Sequence, residues 1–345
     1  MYRAGSAPGP DAYRPANYDG QYRGPVRLRR ALANSLNAAA INLLAEVGVE
    51  PVHALGLALD LPLDPDPWHY GLSLTLGGGE VPLVKLASAL GTFGHGGRHV
   101  PATAIERIED LATGRELWRN PALGSQIVSA DTAWLIDDML SDAAARTPAF
   151  PRPSPLELSF PAAVKTGTTN DFRDNLTVGW TSYVVVGVWT GNKDSRPMRN
   201  VLGITGAAPI WRDVMERLHA DADVLASFGD GAPPVEGFPR PANIVTAPVC
   251  DLSTLTADGR CARRDEVFAA GRRAGDDGVA FAWFDPGGGT CFDGPAGAGA
   301  ARVGLFLPPS GPVQEAALEW ARQHGTLIAP PGCRANGLQL ARTMR

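Results

Sequence analysis

A chain of 345 residues, 44% hydrophobic and 19% charged, has the balance of a folded globular protein and enough length for two ordinary domains, which excludes a disordered chain. Its net charge of -5 argues against the basic face that a nucleic-acid binder needs. No stretch approaches the roughly 20 apolar residues of a membrane-crossing helix, and residues 1–10 lack the charged-then-apolar order of a signal peptide.

Residues 1–22 are rich in Gly, Pro, Tyr and Ala without a period and read as part of a longer loop. Pro25 suits the first position of a helix, with Val26, Leu28, Leu32 and Ala33 as a partly apolar face and Arg27, Arg29 and Arg30 as the wet one. A break at Asn34 to Asn37 precedes a second helix from about Ala38 to Glu46, which ends at Gly48. A third runs from about Val52 to Leu59, before a Pro-rich stretch. The Gly77–Gly79 run has no G-K-S/T after it and reads as a turn, not a phosphate loop. A helix from about Pro82 to Phe93 follows. His95 and His99 are four apart, but Gly96 and Gly97 between them make a helical metal pair a poor reading.

Ala104 to Trp118 reads as a hairpin turning at Thr113-Gly114, and Thr132 to Ala145 as an amphipathic helix. A strand leads into Lys165. Two more, about Asn175 to Thr181 and Tyr183 to Thr190, make an antiparallel pair, and a helix from Ala208 to His219 closes the domain. Gly229 to Pro241 holds four prolines and three glycines and is the best linker candidate. Beyond it the chain is loop-rich, with one clear helix from Val313 to His324. The four cysteines, Cys250, Cys261, Cys291 and Cys333, all lie late. Their even number fits disulfides of an exported module, with Cys250 and Cys261 closing a short loop. Four thiols also suit zinc, but no C-x-x-C knuckle is present, so no metal is expected.

Two motifs carry chemistry. Ser35-Leu36-Asn37 lies between two helices, and Lys165-Thr166-Gly167-Thr168 lies at the end or on the edge of a strand. An S-x-N tripeptide arises roughly once by chance in a chain this long, and K-T-G-T in roughly one chain in a few hundred. In this order and on these elements they match a serine acyl-transferase signature. Acyl transfer from a peptide needs an activated serine, a proton shuttle and an oxyanion hole. The Ser35 hydroxyl suits a proton relay, and the Asn37 carboxamide suits holding both a lysine and the substrate amide. A strand edge can bind an extended peptide by sheet addition, and Gly167 removes a side chain that would block it. Thr166 and Thr168 offer hydroxyls to a substrate carboxylate, and Lys165 offers charge. Plainer readings compete: Ser35 as a cap of the second helix, Asn37 as a turn residue, Lys165 as a solvated edge charge that discourages aggregation.

The sequence resembles class A penicillin-binding proteins, in particular the 1C type. Tyr13 to Val26, Y-R-P-A-N-Y-D-G-Q-Y-R-G-P-V, is similar to the family's approach to its S-x-N motif. Tyr70 to Gly79, Y-G-L-S-L-T-L-G-G-G, and Phe93 to Gly97 look like its glycine segment and the helix end after it. Lys165 to Asp174, K-T-G-T-T-N-D-F-R-D, is the most specific match; Val178-Gly179-Trp180 and Val188-Trp189-Thr190-Gly191 fit the strands after it. The Cys-bearing tail is similar more loosely.

The resemblance implies an α+β fold, an antiparallel sheet flanked by helices with the active site at its edge, followed by a small loop-rich C-terminal module. It divides the chain into a partial transpeptidase domain (1–222), a Pro/Gly-rich linker (223–247) and the Cys-containing module (248–345). It implies D-Ala-D-Ala transpeptidase activity on peptidoglycan stem peptides through an acyl-enzyme, inhibition by β-lactams, no cofactor, and a place outside the cytoplasm. Ser35, Asn37 and Lys165 take catalytic positions, Thr166, Gly167 and Thr168 bind substrate, and the Thr168 N–H is one oxyanion donor. Other cell-wall synthesis proteins are possible partners.

One departure is serious. The family's first motif is S-x-x-K, and the chain's three lysines, Lys85, Lys165 and Lys193, follow Pro82, Ala162 and Thr190 at that spacing. The nucleophilic serine is therefore absent. The expectation is a piece of a longer gene product, whose glycosyltransferase domain and membrane anchor lie upstream, and which is inactive alone. The rival reading is a non-catalytic cell-envelope binding module.

Overall fold

The structure is a computed structural model that describes residues 16–23, 26–121, 123–169, 172–199, 201–228, 236–251, 262–271, 281–284, 291–292, 302–305 and 322–323. The chain divides into two compact units, one holding the described residues of 29–241, the other those of 15–28 and 242–345.

The first unit opens with α1 (Leu28–Ala33), α2 (Asn37–Val47) and α3 (Val49–Ala58). Gly48, at φ 96°, turns the chain between α2 and α3, whose axes differ by 97°. After two 3₁₀ turns, Pro67–His69 and Gly71–Leu76, comes α4 (Leu83–Gly94). Short strands follow: β1 (Arg98–His99), the hairpin β2 (Arg107–Glu109) and β3 (Glu116–Arg119), and β4 (Ser125–Gln126), which pairs back on β1. The helix predicted over 132–145 is two helices, α5 (Ala130–Ser141) and α6 (Ala143–Arg146). Asp142 breaks it, because its carboxylate accepts from the Ala145 N–H at 2.8 Å and caps α6 instead of continuing α5.

The central sheet is antiparallel, in the order β5 (Ala163–Thr168), β6 (Asp174–Trp180), β7 (Val185–Gly191). Both faces are covered, so its strands alternate between two cores. Ala162 and Val164 pack with Trp211 and Met215 of α7 (Ala207–Ala220). Ala163 and Trp180 pack on the other face with Leu140 and Ile136 of α5, Leu90 and Phe93 of α4, and Leu32 of α1. Trp180, Trp211 and Met215 are fully buried, each stabilising the unit by about 1.5–3 kcal/mol. The fold is α+β, with helices on both faces of an antiparallel sheet.

Two sequence expectations change here. Arg29 is not on a wet face: it is 7% exposed while Leu28 is 61% exposed. Its guanidinium pairs with Asp138 and Asp142 and donates to the Asp138 carbonyl, so charge satisfaction overrides the apolar pattern. α7 is not the last element of the unit, because Asp221 caps α8 (Ala222–Ser227) through Asp223 N and Val224 N. The end of the Pro/Gly-rich stretch is held on α5: Trp134 Nε1 donates to the Phe238 carbonyl at 3.1 Å, and Arg240 lies over the Trp134 ring.

The second unit, read as loop-rich, contains antiparallel strands. β8 (Ile244–Cys250) pairs with β9 (Arg263–Ala269), and β10 (Phe281–Phe284) lies between β11 (Cys291–Phe292) and β12 (Arg302–Leu305). Cys250 ends β8; Cys261 lies outside the described residues, and with it the expected Cys250–Cys261 bond. The expected helix over 313–324 lies outside them apart from Arg322 and Gln323. Among the described residues no single helix is long and apolar enough to cross a membrane.

Candidate active site

The two sequence motifs meet on one side of the sheet. Lys165 is the third residue of β5, the edge strand, and its Nζ donates to Ser35 Oγ at 2.7 Å and to the Thr166 carbonyl at 2.6 Å. The residues are 130 apart in sequence. Lys165 is half-buried rather than a solvated edge charge, and burial pushes its ammonium down from 10.5 to about 8.

Ser35 reaches Lys165 through an unusual backbone. It sits at φ 54°, the left-handed region where glycine is the usual occupant. The Leu36 N–H bonds to the Ala31 carbonyl at 3.0 Å and the Ser35 N–H to the Leu32 carbonyl at 3.1 Å, which is the paired closure of a Schellman helix end. Leu36 and Ala31, the two positions that are commonly apolar at such an end, are both buried. Asn34 locks the turn from outside: its Nδ2 donates to the carbonyls of Arg30 and Ala145, and its Oδ1 accepts from the Ala149 N–H at 2.9 Å. A serine in this conformation costs about 1–2 kcal/mol relative to glycine. Ser35 does not cap α2, whose N-cap is Leu36 with no side-chain bond. Asn37 is the first residue of α2 and half-buried.

Strand alternation sends Thr166 and Thr168 to the opposite face from Lys165. There they stand beside their cross-strand partners Thr177 and Asn175. Residues 201–206 cross this face, and Thr168 Oγ1 accepts from the Gly203 N–H at 3.0 Å. Thr168 is exposed, while Asn175 and Thr177 are fully buried. Gly167 shares the Lys165 face; among the described residues a Cβ there would meet only Leu176, at an ordinary 3.5 Å.

One buried carboxylate stands behind the site. Asp137 of α5 accepts from Trp180 Nε1 at 2.7 Å, and burial raises it to about 7. His99, weighed as a metal ligand, is buried against Thr92, with Nδ1 2.9 Å from its hydroxyl. Among the described residues no group of three or more His, Cys, Asp or Glu side chains could hold a metal ion. Sequence reading missed Arg29, Asn34, Asp137, Asn175, Thr177 and Gly203. No local pattern marks them, because each acts on a partner distant in the chain.

Both the sequence and the fold are similar to those of known proteins. Residues 3–216 match the penicillin binding protein transpeptidase domain. Penicillin-binding protein 1C of Escherichia coli K12 is 31% identical over 261 residues, covering 73% of this chain and 30% of that protein. Penicillin-binding protein 1A of Aquifex aeolicus VF5 is 32% identical over 258 residues, covering 74% and 33%. The chain thus spans about a third of these relatives' length. Penicillin-binding protein 1A of Haemophilus influenzae has a similar fold, with a TM-score of 0.61 at 22% identity over 77% of this chain and 43% of that one. PonA1 of Mycobacterium tuberculosis has a TM-score of 0.55 at 20% identity, over 67% and 63%. The chain belongs to the penicillin-binding protein transpeptidase domain family.

Proposed function

We propose that this chain is part of a class A penicillin-binding protein of the 1C type, a D-Ala-D-Ala transpeptidase that cross-links peptidoglycan stem peptides and is acylated by β-lactams. The contact of Lys165 Nζ with Ser35 Oγ at the sheet edge carries this reading. In acylation, a serine oxygen bonds to the penultimate D-Ala carbonyl carbon, the peptide C–N bond breaks, and terminal D-Ala leaves with a proton. Ser35, held by Lys165, relays that proton to the leaving amine. In the second half an amine of a neighbouring stem attacks the ester, a new amide forms and the serine is released. Asn37 orients the substrate amide. Thr166, Gly167 and Thr168 receive the peptide as an added strand, with the Thr168 N–H as one oxyanion donor.

The attacking serine comes from an S-x-x-K segment outside these 345 residues, so the chain alone is inactive. The parent is also a glycosyltransferase anchored at the outer face of the cell membrane, where it meets other cell-wall synthesis proteins. The missing motif favours one rival, a non-catalytic cell-envelope module that binds peptidoglycan. Fluorescent penicillin separates them. The gene product read from upstream of Met1 is labelled, and Lys165→Ala removes most of the label. Strong labelling of the 345-residue chain by itself refutes the absent nucleophile, and an upstream frame without S-x-x-K hands the case to the rival.

A further inference from the structure

Residues 201–206 form a strap over the face of the sheet that carries Thr166 and Thr168. Three hydrogen bonds tie it down. Asn175 Nδ2 donates to the Val201 carbonyl at 2.9 Å, Thr177 Oγ1 donates to the Gly203 carbonyl at 3.3 Å, and the Gly203 N–H donates to Thr168 Oγ1 at 3.0 Å. The first two donors are fully buried on β6, directly opposite Thr168 and Thr166. The approach is close enough that a side chain at Gly203 would press on the sheet backbone. A Cβ at Gly203 would stand 3.0 Å from the Gly167 carbonyl oxygen, 3.1 Å from that of Leu176 and 3.2 Å from Thr166 Cβ. Two of these are backbone atoms and cannot turn aside. Gly206 is packed as tightly, its Cβ position lying 2.8 Å from Asn175 Oδ1 and 2.9 Å from Thr190 Oγ1.

A hydroxyl has one hydrogen to give and two lone pairs to offer. The Gly203 N–H occupies one lone pair of Thr168 and opposes rotation of the O–H toward the strap. Thr168 is exposed, so its hydrogen is free to turn away from the strap. We infer that the strap presets the Thr168 hydroxyl as a donor for the substrate's terminal carboxylate, with Asn175, Thr177 and Gly203 as positioning residues. This rests on the reading of the β5 edge as the peptide site and adds how that site favours an anionic end over an amide. A carboxylate accepts from this hydroxyl as an anion, whereas an amide offers it only a neutral carbonyl oxygen.

The test uses the 345-residue chain and an N-acylated peptide ending in D-Ala-D-Ala, as the free acid and as the C-terminal amide, with binding followed by NMR titration. The wild-type chain should prefer the acid, and Thr168→Val should lose about tenfold of that preference. Gly203→Ala should lose a similar amount, and the double variant no more than either single change, because both act through one hydroxyl. Thr177→Val should repeat the loss, and Thr177→Ser, which keeps the donor to the Gly203 carbonyl, should restore it. If Gly203→Ala and Thr177→Val weaken both peptides equally, or add to Thr168→Val, the strap is only structural and the inference falls. If the wild-type chain does not distinguish acid from amide, the peptide-site reading falls first and takes the strap with it.

Discussion

Replacing Lys165 with methionine tests the site through stability rather than catalysis. Burial lowers the Lys165 ammonium from 10.5 to about 8, so the folded chain at neutral pH holds a charge in surroundings that oppose it. That fall corresponds to at most about 3 kcal/mol of folding free energy. The hydrogen bonds to Ser35 Oγ and the Thr166 carbonyl offset about 1 kcal/mol each. Methionine keeps the length without the charge, so Lys165→Met should be about 1 kcal/mol more stable near neutral pH. The pH dependence carries the sharper signal. Between pH 8 and 10.5 the unfolded chain still holds a proton that the folded chain has released, so this site's contribution to stability rises with pH and levels off above 10.5. The variant's advantage should therefore shrink and reverse as the pH climbs. Urea unfolding of both chains at a series of pH values measures this, and their difference isolates Lys165 because every other group titrates in both. Parallel curves from neutral to alkaline pH would refute the buried amine. The stabilised variant should also lose its preference for a peptide carboxylate, the cost of stability at a working site.

Ser35→Gly should be more stable than Ser35→Ala by about 1 kcal/mol, since both lose the hydroxyl and only glycine takes φ 54° without penalty; equal unfolding midpoints would remove the strained turn. Asp137, raised by burial from 3.8 to about 7, holds a proton in the fold that the unfolded chain has lost. Its stabilisation is full below 3.8 and lost as the pH rises through 7, so Asp137→Asn should gain on the native chain by about 2–4 kcal/mol across that window. Chemical denaturation near both ends of the window checks it, and a constant gap counts against the buried acid. Arg29→Met strands Asp138 and Asp142 and should cost about 2–3 kcal/mol, less than a fully buried pair because both carboxylates are partly exposed. A loss under about 0.5 kcal/mol in the same assay would show the pairing to be incidental.

What the sequence determined was local. Alternation and turn chemistry marked β6, β7 and the β2–β3 hairpin, glycine stops marked the ends of α2 and α4, and the contiguous K-T-G-T run marked an edge strand. The Ser35 motif was legible only because a second, rarer motif followed it. Its backbone was hidden, since a serine at a left-handed helix end looks like any turn residue. Arg29 defeated the helix pattern because its carboxylates lie more than a hundred residues away. Tertiary structure alone decided that Ser35 and Lys165 touch, that the two threonines face away from that lysine, and that a glycine from the 201–206 strap reaches Thr168. Hydrogen bonds between distant residues satisfy buried polar groups without leaving any period or composition in the chain, so only the folded arrangement reveals them.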